Sequence, residues 1–492
     1  MKVESHEDLQ KIAPFADGVL SESDSEARID VVNPSNGQVL LSIPAGSAAD
    51  VDRAVGSARH AFEDGRWCDA PPTFRKRALL RLADLITANS SALDGLDAGE
   101  MGKPISEAQF NAVSAANLLR FYAEAIDKLS GEVYSSDRAS FIAQRRVPRG
   151  VVAAVVPWNF PTFNSVLKVA PALAAGNSVV LKPSELSSRS ALQIARLALE
   201  AEIPPGVLNV VPGLGQTVGR ALALHRDVDM VAFTGSTEVG KQILQYAGQS
   251  NMKSVLTECG GKSPQIVFND GVELDAAADR IARSLLTNQG QLCSVGSRLL
   301  VHRSIEKELL QRIVFRFRQV VVGAALDPRT TFGPLASSKQ FARVMRYIET
   351  AADDGAELLI GGRRVLEQTG GYFVEPTVFA NVSPKAPIAQ EEIFGPVLSA
   401  ISFADEAEAI AIANGTMYGL TAYVWTANLA TGMRVAKGIR SSVRIYAASP
   451  TGEGAGFAPS YEPTGQSGIG VEGGLAGMES YLRRQLVAIQ YA

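Results

Sequence analysis

The chain has 492 residues, 46% of them hydrophobic and 20% charged, which is the balance of a globular protein with room for several packed domains and excludes disorder. Its 47 Lys and Arg against 51 Asp and Glu leave a net charge of −4, with no basic run longer than Arg75-Lys76-Arg77, so nucleic acid is not an expected partner. No run of about 18 apolar residues is present to cross a membrane.

The opening residues carry Glu4, His6, Glu7, Asp8 and Lys11 where a signal peptide would be apolar, and the 3 cysteines, Cys68, Cys259 and Cys293, are too few and scattered to staple the chain. Both features lead to the expectation of a cytoplasmic protein. His6, His60, His225 and His302 form no local pair with metal-ligand spacing, and no metal is expected. The first 50 residues, rich in Ser, Asp and Gly, read as an extended lead-in with short strands. From Asp50 the pattern turns helical: Leu79, Leu82, Ala83 and Ile86 recur at helical spacing, and a further helical stretch covers Glu107 to Lys128. Residues 131 to 150 break this pattern and read as an arm or hairpin leaving the domain.

From Val151 the chain alternates between short β-branched runs and helical stretches, the mark of a parallel sheet flanked by helices. Strands are expected at Val151–Val156, Ser178–Leu181, Val207–Val211 and Met230–Thr234, and helices at Val169–Ala175, Ser187–Ala201, Val218–Leu224 and Glu238–Ala247. These βα units make an α/β fold with an open dinucleotide-type sheet the leading architecture. A second alternating block starts near Ser254, with strands at Gln265–Phe268 and Arg298–Val301 and helices at Leu274–Leu286 and Ile305–Val321. Ala448 to Gly477 is dense in Gly, Pro and Ser and reads as loops over a surface or site, and Tyr481–Tyr491 reads as a closing strand.

Three pieces of chemistry stand out. Cys293 lies in Asn288-Gln289-Gly290-Gln291-Leu292-Cys293-Ser294, a turn whose backbone N–H groups can face a thiolate. Glu258 precedes Cys259-Gly260-Gly261-Lys262-Ser263-Pro264, where two glycines clear space beside a carboxylate that can act as a general base. Asn159, in Pro157-Trp158-Asn159-Phe160-Pro161 at the carboxyl end of a buried strand, has an amide able to donate to an oxyanion. Of three glycine-rich candidates for phosphate binding, Gly468-Ile469-Gly470-Val471-Glu472-Gly473 fits GxGxxG by letter but follows a loop, and is set aside. The run from Gly213 and Gly215 to Gly219 has the strand and helix context but one residue too many. Gly235 to Gly240, following a strand and opening a helix, has the better context.

Taken together, Pro157-Trp158-Asn159-Phe160-Pro161, Leu181-Lys182-Pro183-Ser184-Glu185, Phe233-Thr234-Gly235-Ser236-Thr237, Glu258 with Gly260-Gly261-Lys262-Ser263-Pro264, Gly290-Gln291-Leu292-Cys293 and Glu391-Glu392-Ile393-Phe394-Gly395-Pro396 resemble the NAD(P)-dependent aldehyde dehydrogenase superfamily in order and spacing. The resemblance implies a Rossmann-like dinucleotide-binding domain (1–127 and 149–257), a second α/β catalytic domain (258–450) and a small β oligomerisation arm (128–148 and 476–492). It implies Cys293 as nucleophile, Glu258 as general base, Asn159 as oxyanion donor and Lys168 beside the base. Lys182 and Glu185 fall where relatives grip the adenosine ribose, and Gly215, Phe233, Gly235, Ser236 and Gly240 along the dinucleotide. Glu392, Phe394 and Trp158 fall at the nicotinamide end.

The implied cofactor is NAD, with NADP possible, since a carboxylate such as Glu185 favours a free 2′-hydroxyl over a 2′-phosphate. The implied reaction passes through a thiohemiacetal and a thioester to a carboxylic acid; relatives that transfer the acyl group to coenzyme A usually lack the glutamate. The small-molecule partner is an aldehyde, and a homodimer or homotetramer is expected. Phe160, Phe163, Asn164, Leu167, Leu292, Phe457 and Tyr461 are candidate pocket walls, which lean toward medium or aromatic aldehydes. The chain departs from the resemblance at Val443-Arg444-Ile445-Tyr446 and at Ser460-Tyr461-Glu462-Pro463-Thr464-Gly465, which leaves substrate choice open. A cysteine-dependent esterase, a broad NAD(P)-dependent semialdehyde dehydrogenase and a non-catalytic binding protein are the rival readings.

Overall fold

The runs of Val, Ala, Leu and Ile between 151 and 258 become Val151–Val155, Ser178–Lys182, Leu208–Val210, Met230–Thr234 and Ser254–Glu258 in a computed structural model that describes residues 12–447 and 456–491. These strands pair in parallel, with Val151–Val155, Ser178–Lys182 and Leu208–Val210 buried throughout. Burial on both faces is why these strands read as continuous apolar runs. In space Leu208–Val210 lies beside Ser178–Lys182, then Val151–Val155, Met230–Thr234 and Ser254–Glu258. The order reverses between Val151–Val155 and Met230–Thr234, and such a switch point opens a crevice at the carboxyl ends of the strands. Phe15–Ala16 with Val19–Leu20 extends one edge, and Gly468–Ile469 pairs antiparallel with Thr257 and Glu258 at the other.

A second sheet runs in the order Glu357–Ile360, Thr377–Ala380, Val397–Phe403, Arg298–His302, Pro264–Val267, Thr421–Trp425 and Ser442–Tyr446, all parallel except the first pair. The chain is therefore α/β, with a Rossmann-like sheet and a second α/β unit. Glu132–Tyr134, Ser140–Pro148 and Leu482–Gln490 form a separate three-stranded antiparallel sheet.

Several elements differ from the sequence expectation. The helix expected from Val169 begins at Pro161, eight residues earlier, and ends at Ala174. Pro161 occupies its first turn, where the missing N–H costs nothing. Every residue of this helix except Leu167 is buried, so it has no polar face from which a helical period can be read. The stretch expected as helix from Glu107 begins at Ala112, capped by the Asn111 side chain on the Ser114 N–H. Val218–Leu224 becomes a π-helical turn, Gly215–Gly219, followed by Arg220–Leu224. The helix expected to reach Val321 stops at Phe317. The glycine-rich segment near the C-terminus lies partly outside the described residues, and its described part forms Thr464–Gly465, Gly468–Ile469 and the helix Gly474–Glu479.

Candidate active site

The crevice at the switch point collects the nucleotide-binding candidates. Lys182 ends its strand with its ammonium buried, donating to the Pro183 carbonyl at 2.8 Å and lying 3.4 Å from the Glu185 carboxylate. Burial lowers the Lys182 pKa, and Glu185 opposes that shift. Gly235 follows Met230–Thr234, and Ser236 caps the helix Thr237–Gln249 by accepting from the Val239 N–H. The remaining N–H groups of that first turn, with the positive end of the helix dipole, suit an anionic pyrophosphate.

The other wall comes from the second sheet. Glu392 accepts from the Gly261 N–H at 3.0 Å, and burial pushes its carboxyl up to about 7 against that hydrogen bond and the nearby Arg343 and Lys262. A Cβ at Gly260 would stand 2.4 Å from Glu392 Oε2, so only glycine lets that carboxylate lie against the chain. Phe394 sits at φ 60° with its carbonyl accepting from Gln340 Nε2 at 2.6 Å, and its ring meets Trp158 edge-on at 5.4 Å. A buried ammonium, a helix N-terminus, a carboxylate and an aromatic pair are together a donor set that fits a dinucleotide.

The Cys293 turn is held by amides. Asn288 and Gln289 adopt φ 46° and 55°, and Gly290 adopts φ 72°, a strained sequence for the two side-chain-bearing residues. The compensation is visible: Asn288 Nδ2 donates to the Asn159 carbonyl at 2.8 Å, Gln291 Nε2 donates to the Asn288 carbonyl at 3.1 Å, and Gln291 Oε1 accepts from the Ala336 N–H at 3.0 Å. Asn159 Nδ2 donates to the Gln291 carbonyl at 2.9 Å, which fixes the Asn159 amide two residues from Cys293 and leaves its second N–H free of that bond. Burial, then the charges of Glu258 and Glu392, hold the Cys293 thiol well above its usual pKa, opposed by the Ser294 N–H. Cys259 is a buried packing residue whose thiol is pushed up to about 12 by burial and by Glu258.

Glu258 ends its strand buried, with Oε2 lacking a hydrogen-bond partner. Burial, then repulsion from Glu472, raises its pKa well above the ordinary glutamate value, and Lys168 pulls it down. Lys168, in the helix Pro161–Ala174, makes a buried ion pair with Glu472, which also accepts from the Tyr461 hydroxyl at 3.0 Å. Tyr461 and Glu472 exchange backbone hydrogen bonds of 2.8 and 2.9 Å. Glu472 was missed because it lies inside the GxGxxG run set aside as spurious; the pairing of Gly468 with Glu258 is what carries it toward that carboxylate. Lys168→Met, which strands the Glu472 carboxylate in the interior, is expected to cost about 3–5 kcal/mol. Urea unfolding checks this, and an unchanged midpoint would refute the ion pair's importance.

The proposed pocket walls separate into kinds. Phe160 and Phe163 are buried and pack on Phe110, with ring centroids 4.9 and 5.0 Å from it. Asn164 Nδ2 donates to Asn159 Oδ1 at 3.1 Å, so it orients the Asn159 amide. Leu167, Leu292 and Phe457 are half-buried and pack against the core of the first sheet. Phe110, at φ 52° in a polar stretch, carried no sequence signal. Among the described residues no group of three or more His, Cys, Asp or Glu is placed to hold a metal ion, and no helix is long and apolar enough to cross a membrane.

An open parallel sheet with this crevice defines a nucleotide-dependent enzyme of the α/β class. The aldehyde dehydrogenase family model matches residues 20–487. The chain is 43% identical to an aminoacetaldehyde dehydrogenase of Pseudomonas aeruginosa over 87% of its length and 86% of the relative's. It is 40% identical to a phenylacetaldehyde dehydrogenase of Pseudomonas fluorescens, over 95% and 93% of the two chains. The crystal structure of an indole-3-acetaldehyde dehydrogenase with NAD+ superposes with a TM-score of 0.94 at 44% identity, over 98% of each chain. The chain belongs to the aldehyde dehydrogenase family, and it oxidises an aldehyde to a carboxylic acid with NAD(P) as the hydride acceptor.

Proposed function

We propose that Cys293, Glu258 and Asn159 carry the reaction, with medium or aromatic aldehydes as substrates. The observation that carries this reading is the Asn159 amide, tied at 2.9 Å to the Gln291 carbonyl of the cysteine turn, together with a buried Glu258 oxygen that has no partner and whose charge acts on the Cys293 thiol. Cys293, its proton given up to solvent, adds through sulfur to the carbonyl carbon, and the free Asn159 N–H meets the oxygen that becomes negative. A nicotinamide dinucleotide held there would supply the hydride acceptor, and loss of hydride from the adduct carbon would leave a thioester on Cys293. Glu258 then takes a proton from water, the hydroxide adds to the thioester, and the acid leaves as the thiol reforms. The Lys168–Glu472 pair lies beside Glu258 as a route for that proton.

Lys182 and Glu185 would hold the adenosine ribose, with Gly215, Phe233, Gly235, Ser236 and Gly240 along the pyrophosphate side. Glu392, Phe394 and Trp158 would hold the nicotinamide end. The domain reading is 1–127 with 149–257, 258–450, and an arm of 128–148 with 476–492, the last supported by the three-stranded sheet of Glu132–Tyr134, Ser140–Pro148 and Leu482–Gln490. Val133 at 72% and Leu486 at 62% exposure on the arm favour burial against a second copy, as a homodimer or homotetramer. The absence of disulfides among Cys68, Cys259 and Cys293 is in keeping with a cytoplasmic setting.

The Phe110, Phe160 and Phe163 cluster supports the substrate class, and two relatives act, by name, on phenylacetaldehyde and indole-3-acetaldehyde. The test is NADH formation from aliphatic, aromatic and amino aldehydes, with NADP in a parallel arm. The expected result is highest kcat/KM for medium and aromatic aldehydes with NAD. Preference for amino aldehydes would overturn the substrate reading, preference for NADP the reading of Glu185, and ester turnover without NADH would favour the esterase.

A further inference from the structure

The departure at Val443-Arg444-Ile445-Tyr446 is an edge strand of the second sheet, parallel to Thr421–Trp425, with Tyr446 in register with Trp425 and Arg444 with Tyr423. Tyr446 stacks on Tyr423 with planes 4° apart and centroids 6.2 Å apart, and lies 4.6 Å from the Trp425 ring. The Arg280 guanidinium covers Tyr446 at 4.4 Å from the ring centroid. Both inner partners of Tyr446 then reach toward the turn that follows Cys293. The Tyr423 hydroxyl donates to the Ser294 carbonyl at 2.9 Å. Trp425 Nε1 donates to Gln265 Oε1 at 3.0 Å, and a Cβ at Gly296 would stand 2.4 Å from Gln265 Cγ, so the Gln265 side chain presses on the same turn two residues further along.

We propose that Tyr423, Trp425 and Tyr446 form a buttress of positioning residues for the Cys293 turn, with Tyr423 gripping the Ser294 carbonyl and Tyr446 locking the two inner rings from the sheet edge. The inference rests on the reading of Cys293 as nucleophile. A strained turn approached from one side by Asn159 and Asn288 needs a second support if its thiol is to keep one position. The Tyr423 hydrogen bond and the Gln265 contact supply it from the opposite sheet. Small displacements of a nucleophile cost about tenfold to a hundredfold in rate.

The experiment uses the full-length enzyme with Tyr423→Phe, Tyr446→Leu and Tyr446→Phe, and follows kcat, KM, NAD affinity, thermal unfolding and the rate of iodoacetamide modification of Cys293 by mass spectrometry. Tyr423→Phe keeps the stacked ring and loses only the hydroxyl. It is expected to lower kcat about tenfold or more, with KM and NAD affinity within twofold, and to change the Cys293 alkylation rate. Tyr446→Leu is expected to do the same, while Tyr446→Phe, which keeps the ring, restores the parent values. Parent-like kcat and alkylation in Tyr423→Phe, or losses that follow the unfolding temperature alone, would overturn the buttress. Cys293→Ala separates the two readings: if it retains turnover the nucleophile assignment fails, and if it is dead while Tyr423→Phe is unaltered only the buttress fails.

Discussion

Cys293→Ala is expected to lower aldehyde-dependent NADH formation on the order of 10^6-fold, as loss of a nucleophile does when the remaining groups act only through it. The thiol sits in a turn whose shape is set by Asn288, Gln289 and Gln291, and alanine removes the sulfur without touching those amide hydrogen bonds. NAD affinity and the unfolding temperature are therefore expected to stay at parent values. Stopped-time NADH absorbance with NAD and the best aldehyde of the panel reads the effect. Turnover within about tenfold of the parent would remove Cys293 from the chemistry.

Glu258→Gln is expected to separate the two halves of the reaction. Glutamine keeps the shape at the end of the strand and cannot accept a proton from water, so steady-state turnover should fall about 10^2- to 10^4-fold. The first half survives for an electrostatic reason. The Glu258 charge is the second-largest cause, after burial, of the raised thiol pKa, so its removal lets Cys293 ionise at lower pH than in the parent. A rapid burst of NADH matching the enzyme concentration, followed by slow release, is the expected trace in rapid mixing.

The pH dependence carries the same signature. The Glu258 pKa is raised in the folded protein, so the base form is lost as pH falls through that raised value, and the parent's rate should fall on the acid side well above the ordinary glutamate range. In Glu258→Gln that acid limb should vanish. A variant with no burst, or with the parent's acid limb intact, would take Glu258 out of the role of base.

Legibility of this chain followed the physics of burial. Val151–Val155 and Met230–Thr234 were readable because a parallel strand covered on both faces becomes a short apolar run between turn residues. The helix Leu274–Leu286 was readable to the residue because one face meets the core and the other meets water. The helix Pro161–Ala174 lost its first eight residues to the reading because a wholly buried helix has no such contrast. The strands Val397–Phe403 and Thr421–Trp425 escaped notice because each pairs with a strand far back along the chain, Arg298–His302 and Pro264–Val267, and pairing is what distinguishes them from other apolar runs.

The site divides along the same line. Cys293, Glu258 and Asn159, the residues we propose carry the reaction, stood out in the sequence because their local turns carry the glycines and amides that such groups need: Gly290 at φ 72°, Gly260 against Glu392, Asn159 after a buried strand. Local backbone demands leave a local trace. Glu472, Phe110 and Tyr423 left none, because each acts through a partner more than 40 residues away: Lys168 for Glu472, Phe160 and Phe163 for Phe110, and the Ser294 carbonyl for Tyr423. Tyr461, first placed as a pocket wall, proved to be hydrogen-bonded to Glu472 as well. The sequence by itself determined the family and the fold class, and it singled out the candidate residues whose chemistry is written into their own turns. Only the tertiary structure decided what surrounds them, because the burial, ion pairing and stacking that orient them and shift their pKa values come from packing sheets that meet only when the chain has folded.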